Sequence, residues 1–261
     1  MENSPRYDIV YWLTHPTEDD CELTIRTSNG RIFSCEIDPS RFQRSPKVTE
    51  QYFKCLNTLR SDEEDSDDDF YVEDACDWLV SSFQPLLTKL ATAPPQPEVA
   101  ERPTLSQYLF APYSKCVLEA TDDTLEPHQV DTENCPWRCD RVRMVDGFFT
   151  GLNQWTRSYH PDEVEISCDY PEDLLIRPPT QVVVKGPDGS EVTCFFKPVK
   201  LSFGPEHARR EVLIHEKIAK AEIPPFPETS IGQIYGVVHD GTFVFGILLK
   251  WIKQQDQYQR G

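Results

Sequence analysis

Residues 180–252 read TQVVVKGPDGSEVTCFFKPVKLSFGPEHARREVLIHEKIAKAEIPPFPETSIGQIYGVVHDGTFVFGILLKWI, and the order of elements within this stretch decides the fold. Two β-branched or aromatic runs, 181–185 and 191–196, flank Gly186-Pro187-Asp188-Gly189, which has the composition of a hairpin turn. The second run ends in Lys197. Pro205 then suits the first helical position, where its missing N–H removes no hydrogen bond, and Glu206 places negative charge at the positive end of the helix dipole. Ala208, Val212, His215 and Ala219 recur at helical spacing until Pro224-Pro225 closes the segment. Two further strand-like runs, 231–239 and 242–251, are joined by Asp240-Gly241, a strong short hairpin signal. The predicted class is α+β: an antiparallel five-stranded sheet with one long helix, preceded by a smaller α+β region containing a β-hairpin and helices.

The order strand, strand with lysine, helix with glutamate, strand, strand resembles the N-terminal lobe of the protein-kinase-like fold. Phe195-Phe196-Lys197 is similar to the strand end of the family's V-A-I-K motif, and Arg210-Glu211-Val212-Leu213-Ile214 to its Arg-Glu-aliphatic helix stretch. Ile247-Leu248-Leu249-Lys250-Trp251-Ile252 resembles the last strand running into the hinge, with Leu249 at the gatekeeper place. The match covers roughly the last third of the chain. A polar front half ahead of such a lobe is similar to fungal kinase-like proteins. The resemblance implies ATP and magnesium as ligands, Lys197 on the phosphates, Glu211 orienting it, and a backbone amide at Ile252 meeting adenine.

Departures from the family pattern are specific. The tripeptides H-R-D and D-F-G, which supply the family's base and metal ligands, do not occur. No G-x-G-x-x-G precedes Lys197, because Gly186 and Gly189 fall in a short turn. Alternation along the strand puts Phe195 on the face of Lys197, where the family has alanine against the adenine ring. The expectation is an incomplete kinase-like protein, a regulatory or binding remnant or a truncated gene product, without phosphotransfer alone. The alternatives are the N-terminal part of a functional ATP-dependent phosphotransferase, and an interaction adaptor that binds no nucleotide.

Other residues compete for the site. Glu216 lies five positions after Glu211, about 140° around a helix that turns ~100° per residue, so the two do not share a face. Glu206 is explained by the first turn, and Lys200 lies beyond the break at Pro198. His215, one turn after Glu211, reads as a core residue of the lobe. None of the six histidines sits in a nucleophile motif such as G-x-S-x-G.

The 261 residues suffice for one large domain or two small ones, at about 100–200 residues each. The expected organisation is an N-terminal α+β region over 1–92, a Pro-rich linker at 93–103, a mixed connecting region over 104–160 and the lobe over 161–261. A net charge of −18 repels phosphate backbones, so nucleic acid is not an expected partner and basic proteins or cations are favoured. Nine cysteines, odd in number and without a C-x-x-C pair, imply free thiols in a reducing compartment, cytoplasmic or nuclear. Cys135-Pro136-Trp137-Arg138-Cys139 has only His128 nearby and lacks a zinc-pair spacing. No apolar run approaches the ~20 residues that span a bilayer.

Towards the N-terminus, 7–13 is fit for a strand, and 21–37 reads as a hairpin about Asn29-Gly30, ended by Asp38-Pro39-Ser40. A structural hairpin is the expectation there, and partner binding at an edge strand the functional alternative. Helices are expected over 47–59 and over 73–90, the latter interrupted at Pro85. Seven of the nine residues 61–69 are acidic, a solvated segment in which Ser61 and Ser66 have the flanks of acid-directed phosphorylation sites. Beyond the linker, 105–109 reads as a helical turn, 114–119 as a strand, 127–143 as irregular, 144–155 as helical and 163–168 as a strand.

Overall fold

In a computed structural model of the chain, the described residues are 6–61, 70–90, 102–130, 139–168, 170, 173–202, 204–221, 223 and 232–251. They form an α+β protein of two units that interleave along the sequence. The first comprises Met1–Ala100, Ala111–Trp137 and Leu175–Arg177, and the second Glu101–Phe110, Arg138–Leu174 and Pro178–Gly261. The described residues 111–130, read as part of a connecting region, therefore fall in the first unit. Most of the expected linker, with residues 62–69 and Ser66, lies outside the described residues.

The first unit contains β1 (Tyr7–Thr14), β2 (Cys21–Thr27), β3 (Ile32–Gln43), α1 (Pro46–Arg60), α2 (Val72–Leu90), β4 (Tyr113–Thr121) and β5 (Thr124–Val130). The strands lie in the order β1-β2-β3-β4-β5, antiparallel except for β3 and β4. Those two are parallel because the chain leaves β3, runs through both helices and returns alongside it, as a parallel crossover requires. Alternation sends Leu23, Ile25, Phe33, Cys35 and Ile37 into a core shared with Tyr52 and Leu56 of α1 and Leu79 and Phe83 of α2. Tyr52 is fully buried, and its hydroxyl donates to the carbonyls of Asp19 (2.7 Å) and Ile37 (3.3 Å). In the β2–β3 turn Gly30 takes φ 80°, and a Cβ there would stand 2.9 Å from Leu175 Cδ1.

Three expectations are corrected here. Pro39 does not end β3; it sits where the register against β4 shifts between Ile37 and Phe42, a bulge in which its missing donor is tolerated. Pro85 does not interrupt α2, because it and Ser81, whose carbonyl loses its partner, both lie on the exposed side. Residues 127–130, within the stretch expected to be irregular, instead belong to β5, which is joined to β4 by Asp122-Asp123, both at positive φ (52° and 62°).

The second unit contains α3 (Leu105–Leu109), β6 (Val142–Arg143), α4 (Phe148–Gly151), β7 (Arg157–Tyr159), β8 (Glu165–Ser167), β9 (Gln181–Lys185), β10 (Glu191–Pro198), α5 (Pro205–Lys220), β11 (Ile234–His239) and β12 (Phe243–Lys250). The sheet runs β7-β11-β12-β10-β9-β8, with β6 also pairing β12. It has seven strands rather than the expected five, and it is mixed, since β7 and β11 are parallel. The two extra strands are two and three residues long, too short to leave a periodic trace in sequence. One core gathers Val182, Val184, Cys194, Phe196 and Phe245 with Leu105 and Leu109 of α3. The other gathers Ile247, Val237 and Val199 with Ala208 and Val212 of α5 and Phe148 and Leu152.

Candidate functional site

The turn between β9 and β10 is closed on itself. Gly189 N–H donates to Gly186 O (3.0 Å), Gly186 N–H to Ser190 O (2.8 Å), and the Asp188 carboxylate accepts from the Ser190 hydroxyl (2.6 Å) and amide (3.1 Å). The bonds from Ser190 hold the Asp188 carboxyl below its ordinary range. The amides of Gly186, Gly189 and Ser190 are thus used within the turn rather than offered to a phosphate.

Along β10, Cys194 and Phe196 are buried on one face while Phe195 and Lys197 stand on the other. Lys197 lies opposite Ile247, and Phe195 opposite Leu249 on one side and Gln181 on the other. The strands approach closely: a Cβ on Gly246 would be 2.5 Å from the Phe196 ring and 2.6 Å from Lys197 O.

α5 begins at Gly204 (φ 84°) and Pro205, and its first-turn Glu206 pairs with Arg209. Lys217 and Lys220 sit in the last turn, where positive charge suits the dipole. Burial of Ala208 and Val212 fixes the rotation of the helix and turns the adjacent Glu211 toward the lysine. Lys197 Nζ and Glu211 Oε1 form an ion pair from strand end to helix. The competing Glu216 is paired with Lys220 at 2.7 Å, and Lys200 is exposed beyond the strand.

The lysine side chain is 45% exposed and the glutamate 27%, so the pair contributes on the order of 0–1 kcal/mol to stability. His215, one turn after Glu211, is half-buried, and its Nδ1 is enclosed without a hydrogen-bond partner. Burial pushes its pKa below the ordinary value, Lys197 pushes the same way, and Glu211 opposes. The sequence indicated a core histidine but not this enclosed nitrogen, which depends on packing alone.

Phe195, on the lysine's face of β10, is 37% exposed. Of the three residues expected to meet a nucleotide, Lys197 and Glu211 are brought together and Ile252 lies outside the described residues. Cys135 is also outside them, and among the described residues no cluster of His, Cys, Asp or Glu is arranged to hold a metal ion. No described helix is long and apolar enough to cross a membrane. Comparison with family models, curated proteins and solved structures gives no match.

Proposed function

We propose that the second unit is a protein-kinase-like N-terminal lobe serving as a regulatory or binding element without phosphotransfer of its own. The Lys197–Glu211 ion pair carries this reading. In the family, a strand lysine held by a helix glutamate meets the nucleotide phosphates. Further support comes from β8, β9, β10, β12 and β11, successive antiparallel neighbours with α5 in the connection between β10 and β11. Five such strands with one long helix are what the resemblance implies.

ATP and magnesium fit these residues only in part. Lys197 and Glu211 suit a phosphate contact. The closed turn at Gly186-Pro187-Asp188-Gly189 does not cover phosphates, and Phe195 occupies the face that adenine would need. The residue sets that would supply a base and metal ligands, H-R-D and D-F-G, do not occur in the sequence. The residues present thus support binding rather than phosphoryl transfer.

Thermal unfolding with and without ATP and magnesium tests the reading. A ligand at one hundred times its Kd stabilises the native state by about 2.7 kcal/mol, so the midpoint should rise in the natural chain and not in Lys197→Ala. An unchanged midpoint in both favours the second reading, an adaptor for a protein partner in which the ion pair is structural. Phe195 on the lysine face is the observation on its side.

A further inference from the structure

The outer edge of the first unit carries an apolar run that its own fold leaves open. β2 is the only strand neighbour of β1 among the described residues. Past an irregularity between Ile9 and Tyr11, three large apolar residues follow one another: Tyr11 is 57% exposed, Trp12 40% and Leu13 52%. Edge strands are commonly blunted with lysine, proline or an inward charge, and Tyr11–Thr14 holds none of these. Such a run invites the addition of another strand.

The two faces of that edge differ. Trp12 lies opposite Leu23, which lies opposite Cys35, so by register it stands on the helix-covered face, where both of those residues are core. Tyr11 and Leu13 lie opposite Thr24 and Glu22 on the other face. An added strand would set one side chain row beside Trp12 and the other beside Tyr11 and Leu13, with Glu22 one strand further in.

The surroundings are acidic. Asp8 is exposed on β1, Glu18, Asp19 and Asp20 are exposed in the following loop, and Glu22 is exposed on β2. Arg60 already donates to the carbonyls of His15 (2.5 Å) and Glu18 and faces Asp19 at 3.9 Å. A second copy of the chain would bring the same carboxylates and another net charge of −18 against this edge, which repels it.

We infer that β1 docks an extended segment of another protein in which apolar residues alternate with lysine or arginine, adding it as a sixth strand. Main-chain hydrogen bonds supply the pairing, the apolar row covers Trp12, and the basic row meets Glu22 and the loop carboxylates. The edge belongs to the first unit, so its occupant does not depend on nucleotide binding by the second.

The test uses the full chain and a capped heptapeptide of alternating Lys and Val, with Glu-Val and Lys-Ser versions as controls. Binding is read by fluorescence anisotropy and by hydrogen exchange of the β1 amides. The expected result is protection of residues 11–14 by the Lys-Val peptide, with at least tenfold weaker binding of both controls. Trp12→Lys and, separately, Leu13→Lys should each weaken the Lys-Val peptide at least tenfold while leaving circular dichroism unchanged. Equal binding of Lys-Ser, protection elsewhere but not at 11–14, or indifference to both substitutions would overturn the inference. So would protection of 11–14 that rises with protein concentration in the absence of peptide, which assigns the edge to a second copy.

Discussion

The carboxylate of Asp123, in the β4–β5 turn, accepts the main-chain N–H of Lys47 at 3.0 Å and lies within 3.4 Å of that of Val48. It thus serves as the cap that α1 lacks locally, since the Ser45 hydroxyl donates to Gln43 O (2.8 Å) and accepts from Asp123 N (3.0 Å) instead. Asp123→Ala removes the acceptor and leaves alanine at φ 62°, so it should lower stability by roughly 1–2 kcal/mol. Asp123→Asn should retain most of it. Urea unfolding checks this as a lower midpoint with an unchanged slope.

Gly246 is required by packing. Its absent Cβ would meet both the Phe196 ring and a backbone oxygen, and the oxygen cannot rotate away. Gly246→Ala should destabilise the second unit by about 1–3 kcal/mol, as overpacked cores do. The same measurement on Gly151→Ala, where nothing stands within 4 Å, should show little change.

Both His215 and His239 have folded-state pKa values below the ordinary 6.5, each chiefly through burial. When pH falls below about 6.5 the unfolded chain binds protons that the folded chain resists, so stability declines toward acid and is insensitive to these groups above that value. Lys197→Met removes one of the influences holding His215 down, and its titration should move upward in NMR spectra of the folded chain. An unmoved His215 resonance in that variant would contradict the placement of the two side chains.

Thiol reactivity should follow burial. Burial, with Cys76 next in influence, pushes Cys21 up to about 12, and burial pushes Cys55 to about 11. Cys35 and Cys116, opposite each other on β3 and β4, are fully enclosed. Among the described cysteines, Cys168 alone is exposed, and iodoacetamide should label it first by mass spectrometry. The buried thiols should react only after denaturation.

Long, regularly patterned elements were legible in the residues: β2, β10 and α5 declare themselves by alternation or helical spacing. The meeting of Lys197 and Glu211 was expected from the resemblance alone, because short-range periodicity fixes a strand end and a helix face but not that the two face each other. β5 was hidden because it is mostly exposed, carries Pro127 and follows an Asp-Asp turn rather than one with glycine. The parallel pairing of β3 with β4 joins Ile32 to Tyr113, a separation over which local pattern carries no information. The openness of Trp12 was equally invisible, because an aromatic strand looks alike at the centre and at the rim of a sheet.

The interleaving of the two units has a bearing on biosynthesis. A ribosome that has released only the first hundred residues has delivered three strands and two helices whose partners, β4 and β5, have yet to emerge. β3 then waits with one side open until residue 121 emerges, about 1–4 seconds later at about 5–20 residues per second. A gene cut within residues 91–101 would leave that side open permanently, giving a polypeptide suited to chaperone capture rather than an independent domain.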